Sequence, residues 1–325
     1  MTVLRRRLAR PLVELVISLL IASVIVFVLL NLLPGDVAQV MLGTNADLAA
    51  ATALRHQLGL DRPLTARYLD WMGHLLSGNL GASAITGEPI APEIVSRLAV
   101  TGWLVVGAMA LAIAACIPVG IYAAVHRRRV RGLVVSVASQ ILMSVPAFLA
   151  GILLILLFSV TLGWLPAGGY TPLLDSPWQW FRHLLLPVCA LAIVQSAVLA
   201  RYVRSAFIDI LADDHLRTAR AVGWRLRPAL IRHGLRNASI SLVTVVGLQL
   251  STLLVGTIVV EQVFVIPGLG SYLLDAVSLR DLTVVADVVM ILVGLVLLIT
   301  FLVDTLVILI DPRLRVSSGL EGAQS

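Results

Sequence analysis

Lysine is absent from this 325-residue chain, and all 24 of its basic residues are arginine. A P-loop needs a lysine on the β- and γ-phosphates of its nucleotide, and no GxxxxGK[ST] string occurs either, so the chain does not carry its own ATPase. Charge of both signs is scarce. At 13% charged and 59% hydrophobic residues, the chain has about half the charged share of a soluble domain, which identifies a polytopic membrane protein. Cysteine is nearly missing too: Cys116 and Cys189 both fall inside apolar runs, where a small hydrophobe is the usual role and no disulfide framework is implied. There is no HExxH or GxSxG string, the six histidines are scattered, and no cysteine–histidine pair has a useful spacing. No catalytic residue, metal site or cofactor is therefore expected.

What is present is arginine in blocks. Arg5, Arg6, Arg7 and Arg10 precede the first apolar run, Arg127, Arg128, Arg129 and Arg131 follow the second, and Arg313 and Arg315 close the last. A longer basic segment, 209–241, lies between two further runs, and the connections on the other side are poor in arginine. A net charge of +6 invites a nucleic-acid reading until these positions are examined. The arginines are split among span ends rather than laid along one face with aromatics, and so they mark the cytoplasmic side.

Spans are expected at Leu12–Leu33, Val100–Val125, Leu133 to about Leu162, Leu184–Leu199, Leu242–Val260 and Val284–Ile310. The first exceeds the ~7 to 15 apolar residues of a signal-peptide core and reads as uncleaved. Six crossings place both termini in the cytoplasm. Between spans 1 and 2, from Asp36 to about Arg97, no segment is long enough to cross. It reads as an external insert of short helices, at Leu54–Leu58 and Tyr68–Leu76, with turns at Asp61–Pro63 and Gly78–Gly81. Pro146 inside span 3 frees backbone groups in lipid and marks either an interior, pathway-facing break or a plain kink. Gly163–Arg182, with Trp164, Trp178 and Trp180, reads as a second external loop at headgroup level. Asp311, Pro312 and Arg313 close the last helix, and residues 317–325 (SSGLEGAQS) read as a disordered tail.

The basic segment has internal order. Asp213 and Asp214 precede Arg217 at helical spacing, Gly223 interrupts, Pro228 suits the first turn of a new helix, and Arg232 and Arg236 follow four residues apart. A solvated loop that only fixes orientation needs none of this, whereas a docking element for a cytosolic partner does.

Six ordered stretches carry a family resemblance: NLLPGDVA at Asn31–Ala38, LGLDRPLTARYLDWMGHLLSGNLGAS at Leu58–Ser83, SVPAFLAGILLILLFSV with LGWLPAGGY at Ser144–Tyr170, LRTARAVGW with RHGLRNA at Leu216–Ala238, VVEQVFVIPGLG at Val259–Gly270 and DPRLR at Asp311–Arg315. Over nearly its whole length the chain resembles the permease subunits of binding-protein-dependent ABC importers, in particular the B-type subunit of dipeptide and oligopeptide permeases. The resemblance implies an all-α membrane protein of six transmembrane helices, the type I ABC importer permease fold, with an extracytoplasmic helical insert between spans 1 and 2. It divides the chain into residues 1–97 (first span and insert), 98–316 (permease core) and 317–325 (tail). It further implies a bacterial inner-membrane location, a second C-type permease subunit, two cytosolic ATP-binding subunits and an extracytoplasmic peptide-binding protein. Loop 209–241 would be the segment gripped by the ATPase. Arg217, Thr218 and Ala219 stand in place of an acidic-Ala-Ala triplet, Arg220 and Ala221 follow, and Gly223 matches the family glycine, with Arg232 and Arg236 beyond. Ser241 departs from the proline such permeases commonly carry after the loop. Di- and oligopeptides are the leading substrates, with nickel, glutathione or another small solute as the alternative.

Four carboxylates lie within or beside apolar runs, where an ionised group is costly unless paired or wet. Glu14 and Glu261 are near enough to span ends to reach the interface. Asp287 and Asp304 remain, either as structural or pore-facing groups or as the proton sites of a secondary transporter. The absence of a neighbouring lysine or histidine relay favours the former, and the lack of an internal repeat weakens the latter.

Overall fold

The computed structural model describes residues 2–32, 49, 52, 53, 56, 61–212 and 235–310. These form helices α1 (Thr2–Leu32), α2 (Leu64–Ser77), α3 (Ile90–Val125), α4 (Val130–Ser144), α5 (Ala147–Leu154), α6 (Pro177–Ala212), α7 (Leu235–Val263), α8 (Leu269–Leu279) and α9 (Leu282–Ile310), with a π-helical segment Ile155–Thr161 continuing α5. Among the described residues there is no strand, only an isolated bridge between Ala82 and Pro89. Of the expected helix at Leu54–Leu58 only His56 is described, and it is helical; loop residues 213–234 and the tail lie outside the described residues.

Among the described residues, five helices are long and apolar enough to cross a membrane: Ala9–Leu32, Ile90–Val125, Pro177–Leu211, Leu242–Val263 and Leu282–Ile310. The sixth expected span is a broken one, since α4 and the helix from Ala147 to Thr161 meet at 99°. The cause is local. A residue before proline is pushed out of the helical region by the pyrrolidine ring, and Val145 is accordingly extended (φ −83°, ψ 122°), while Pro146 caps α5 in the same region (φ −61°, ψ 142°). Pro146 is exposed, so the break is a corner of this chain rather than a buried kink.

Two spans are longer than expected. α6 begins at Pro177, so Trp178 and Trp180 stand on its first turns instead of in a loop, and α3 begins at Ile90. At 1.5 Å per residue, 36-residue helices run about 54 Å, well beyond a ~30 Å hydrocarbon core, so each projects out of it.

The chain forms two compact units. One comprises Gly102–Ile266 with the parts of α1 before Val13 and of α9 from Leu298 onward. Here α6 is the hub and packs on α4, α5 and α7. Gly120 lets α3 approach α6 so closely that a Cβ would meet the Val203 Cβ at 2.6 Å and the Ala200 carbonyl oxygen at 2.9 Å. Cys116 is buried and Cys189 half-buried, both as free thiols among apolar neighbours.

The other unit comprises Val13–Thr101 and Pro267–Leu297. Its core joins the start of α3 (Ile90, Ile94) to α8 (Leu269, Ala276) and to the first turns of α9 (Val284, Val285, Val288). Burying backbone ends requires partners. The Leu269 amide donates to Thr101 Oγ1 at 2.9 Å, and Asp281, 3% exposed, caps α9 by accepting from the Val284 amide at 3.3 Å. Ser83 Oγ donates to the same Asp281 carboxylate and accepts from the amides of Ile85 and Thr86, which ties the loop before α3 to the start of α9.

Candidate functional site

In the second unit, α2 is the described helix of the insert. It starts after Pro63 and stops at Gly78, whose left-handed backbone (φ 73°) lets the cap amides return to the His74 and Leu75 carbonyls. Helical spacing puts Arg67, Trp71 and His74 on one side, and Tyr68 beside them faces α1. Ser23 Oγ spends its proton on the Leu20 carbonyl at 2.8 Å, so the Tyr68 hydroxyl, 2.8 Å from Ser23 Oγ, is the donor in that pair. Phe27 of α1 meets the Tyr68 ring edge-on at 5.4 Å and stacks on Trp71 at 5.9 Å. Trp71 Nε1 then donates to Asp287 Oδ1 at 2.9 Å.

Asp287 thus has a hydrogen-bond donor from another helix. The carboxylate is 2% exposed, a burial that costs heavily without a donor, and the indole supplies one. Around it lies a cavity of about 500 Å³ bounded by Phe27, Asn31, Arg67, Trp71, His74 and Asp287. Arg62 and Asp70, also on its rim, are hydrogen-bonded to each other. On the α3–α8 side of the unit, Arg97 pairs with Glu93 and lies 4.6 Å over the Tyr272 ring. Burial first, and the Glu93 charge second, raise the Tyr272 hydroxyl above its ordinary pKa, so it stays a neutral phenol.

The two carboxylates singled out by sequence are not brought together. Asp304 is exposed, many turns further along α9 than Asp287. Glu261, expected at the interface, is instead fully buried. Just beyond it the chain doubles back: the Ile266 amide bonds to the Glu261 carbonyl at 2.8 Å, Val265 adopts φ 51°, and Phe264 is buried alongside. Glu14 is exposed. Arg217, Thr218, Ala219, Arg220, Ala221, Gly223 and Arg232 lie outside the described residues, and Arg236 opens α7 with its side chain also outside them. Among the described residues no cluster of three metal-ligating side chains occurs. Trp71 and Arg67 were not singled out by sequence, because nothing in a 14-residue amphipathic helix reveals which distant residue its aromatic face will meet.

An all-helical fold with five helices long and apolar enough to cross a membrane and one broken span, among the described residues, is that of a multi-pass membrane protein. Its backbone is similar to that of the MetNI methionine ABC transporter in inward-facing conformations, with a TM-score of 0.58 at 21% identity over 67% of this chain and 96% of that one. This is the type I ABC importer permease fold. Residues 116–316 match the binding-protein-dependent transport system inner membrane component, and residues 3–101 match the N-terminal membrane component of the same systems. The chain belongs to this family. It is 42% identical over 306 residues to the glutathione transport system permease protein GsiC of Salmonella choleraesuis (strain SC-B67), covering 94% of this chain and 97% of that protein. It is 41% identical over 306 residues to GsiC of Escherichia coli (strain K12), with the same coverage. The chain is thus a multi-pass inner-membrane permease subunit of an ABC importer. It is non-catalytic, with ATP hydrolysis on separate chains. Membership implies a partner permease, ATP-binding subunits and a periplasmic binding protein.

Proposed function

We propose that this chain forms half of the translocation pathway of an importer of short peptides and that glutathione, itself a tripeptide, is among its substrates. The observation that carries the reading is identity of 42% across 94% of the chain to a glutathione permease subunit. Chemically, the peptide and glutathione readings converge, since both solutes present a free ammonium and carboxylate on a short amide backbone.

In this proposal both termini are cytoplasmic and the insert containing α2 is extracytoplasmic, the orientation that the arginine blocks favour. The chain works with a second, non-identical permease, two cytosolic ATP-binding subunits and an extracytoplasmic peptide-binding protein. The 209–241 loop is the handle, with Arg217, Arg220 and Gly223 at the ATPase contact. ATP binding closes the ATPase pair, the loop moves with it, and the permease pair shifts between outward- and inward-open populations. A short helix seated in a groove transmits such a displacement with little loss, whereas a slack loop absorbs it.

The test is uptake by proteoliposomes that hold the full complex, with ATP on the ATPase side and the binding protein on the other. Labelled glutathione and a di- and tripeptide series should accumulate only with nucleotide. Accumulation driven by this chain alone without nucleotide, or transport of nickel to the exclusion of every peptide, would sink the proposal.

A further inference from the structure

Two charged groups on the Trp71 cavity have unspent bonding capacity. Asp287 is 2% exposed and lines the cavity; its Oδ1 takes the Trp71 indole, and its Oδ2 accepts no hydrogen bond among the described residues. Arg67 lines the same cavity, is half-buried, and has no acidic partner among the described residues, whereas Arg62 beside it is held by Asp70. Arg67 and Asp287 make no ion pair with each other. Among the described residues a buried negative charge and a half-buried positive one thus share one cavity without neutralising each other, an arrangement that costs stability unless something bridges them.

The bridging chemistry can be read from the walls. A carboxylate beside the Phe27–Trp71 stack suits an ammonium group, which gains both the charge and the ring faces. A guanidinium offers paired donors to a carboxylate. A cavity of about 500 Å³ is within the ordinary range for a small-molecule site, and Asn31 and His74 on its wall supply amide and imidazole groups for a polar backbone. A lone metal cation would leave Arg67 without a partner, and a lone anion would leave Asp287 without one.

We propose that this cavity is a binding site within the permease for a zwitterionic amino acid or short peptide, its free ammonium group held by Asp287 and Trp71 and its carboxylate by Arg67. The ligand class rests on the peptide reading above; the existence of a two-charge site does not. Asp287 sits in the second turn of α9, shallow enough for a solute to reach from the end of the span where the insert lies.

The experiment uses the complete permease–ATPase complex in nanodiscs without the binding protein, titrated calorimetrically with glutathione and with N-acetylglutathione, which lacks the ammonium group. The wild-type complex should bind glutathione at least about tenfold more tightly than the acetylated form. In Asp287→Asn that preference should fall to near one, and in Arg67→Gln both probes should weaken together. A side chain with a purely structural role would not change the ratio between the two probes. Equal binding of the probes by wild type, no binding of either, or an unchanged preference in Asp287→Asn would each overturn the site. The acetylation comparison needs no variant, so misfolding of a mutant does not shelter the proposal. Uptake by the full system with its binding protein is measured alongside. Uptake without direct binding removes this site and leaves the peptide reading standing, and selective direct binding without uptake of any short peptide does the reverse.

Discussion

At Asp287 a charge inside an apolar run meets a single indole donor, and the bond between them joins α2 to α9. Trp71→Phe keeps a ring to stack on Phe27 but withdraws the N–H from a carboxylate that has no other donor among the described residues. Leaving a buried acceptor unsatisfied costs about 1–3 kcal/mol. The solubilised complex carrying Trp71→Phe should therefore unfold at a lower temperature than wild type. Adding Asp287→Ala to it should cost less than Asp287→Ala costs alone, because the two share one bond. An unchanged midpoint in Trp71→Phe would show that the bond holds nothing. Half of this pair was legible beforehand. Asp287 stood out because ionised groups in spans are expensive, but Trp71 did not, since a hydrogen bond across more than 200 residues leaves no periodic trace. Glu261 misled for a related reason: its distance from the span end was read correctly, and the turn that folds back over it through Val265 was not.

Among elements, apolar length fixes where helices run, and close approaches fix how they pack. Gly120 and Gly102 lie on the same helix, α3, in opposite circumstances. A Cβ at Gly120 would meet backbone and Cβ atoms of α6 that have no flexible end to swing aside, whereas a Cβ at Gly102 meets nothing within 4 Å. Gly120→Ala should destabilise by about 1–3 kcal/mol through overpacking, while Gly102→Ala should be neutral or stabilise by up to ~1 kcal/mol through helix propensity. Thermal unfolding of the two purified variants in one detergent checks the pair, and equal midpoints would contradict the α3–α6 contact. Spans were legible at this scale because a run of about 20 apolar residues has few alternatives in lipid. The ends of α3 and α6 were not, since the polar and aromatic turns that extend them belong to helices projecting past the hydrocarbon. The corner at Val145–Pro146 was visible as a proline but not as 99°. Proline forbids the straight helix, and the neighbouring helices choose the angle.

For the whole molecule, function depends on a displacement made by other chains and received by this one. A permease without a nucleotide site does no work of its own, so energy must enter through a protein contact, and the basic segment 209–241 is the place where sequence offers one. If Arg217 and Arg220 sit at that contact, Arg217→Glu together with Arg220→Glu turns two attractions into repulsions at a partly desolvated interface, where truncating or reversing charges costs several kcal/mol. A contact weakened that far leaves the ATPases free to close without moving the spans. The reconstituted complex should then hydrolyse ATP at a rate no longer stimulated by loaded binding protein, with uptake reduced at least about tenfold, since 1.4 kcal/mol already suffices for a factor of ten. Co-purification of the ATP-binding subunits separates a failed transmission from a failed assembly. Variants that stay assembled and still show stimulated hydrolysis and normal uptake would move the handle elsewhere on the cytoplasmic face. Arg232→Glu with Arg236→Glu is the matched control for bulk charge: it removes the same number of positive charges from the same loop, beyond Gly223 and Pro228. Loss of coupling in the first pair but not in the second assigns the transmission to the residues before Gly223, whereas equal loss in both would reduce the loop to a diffuse electrostatic patch, which salt would then screen.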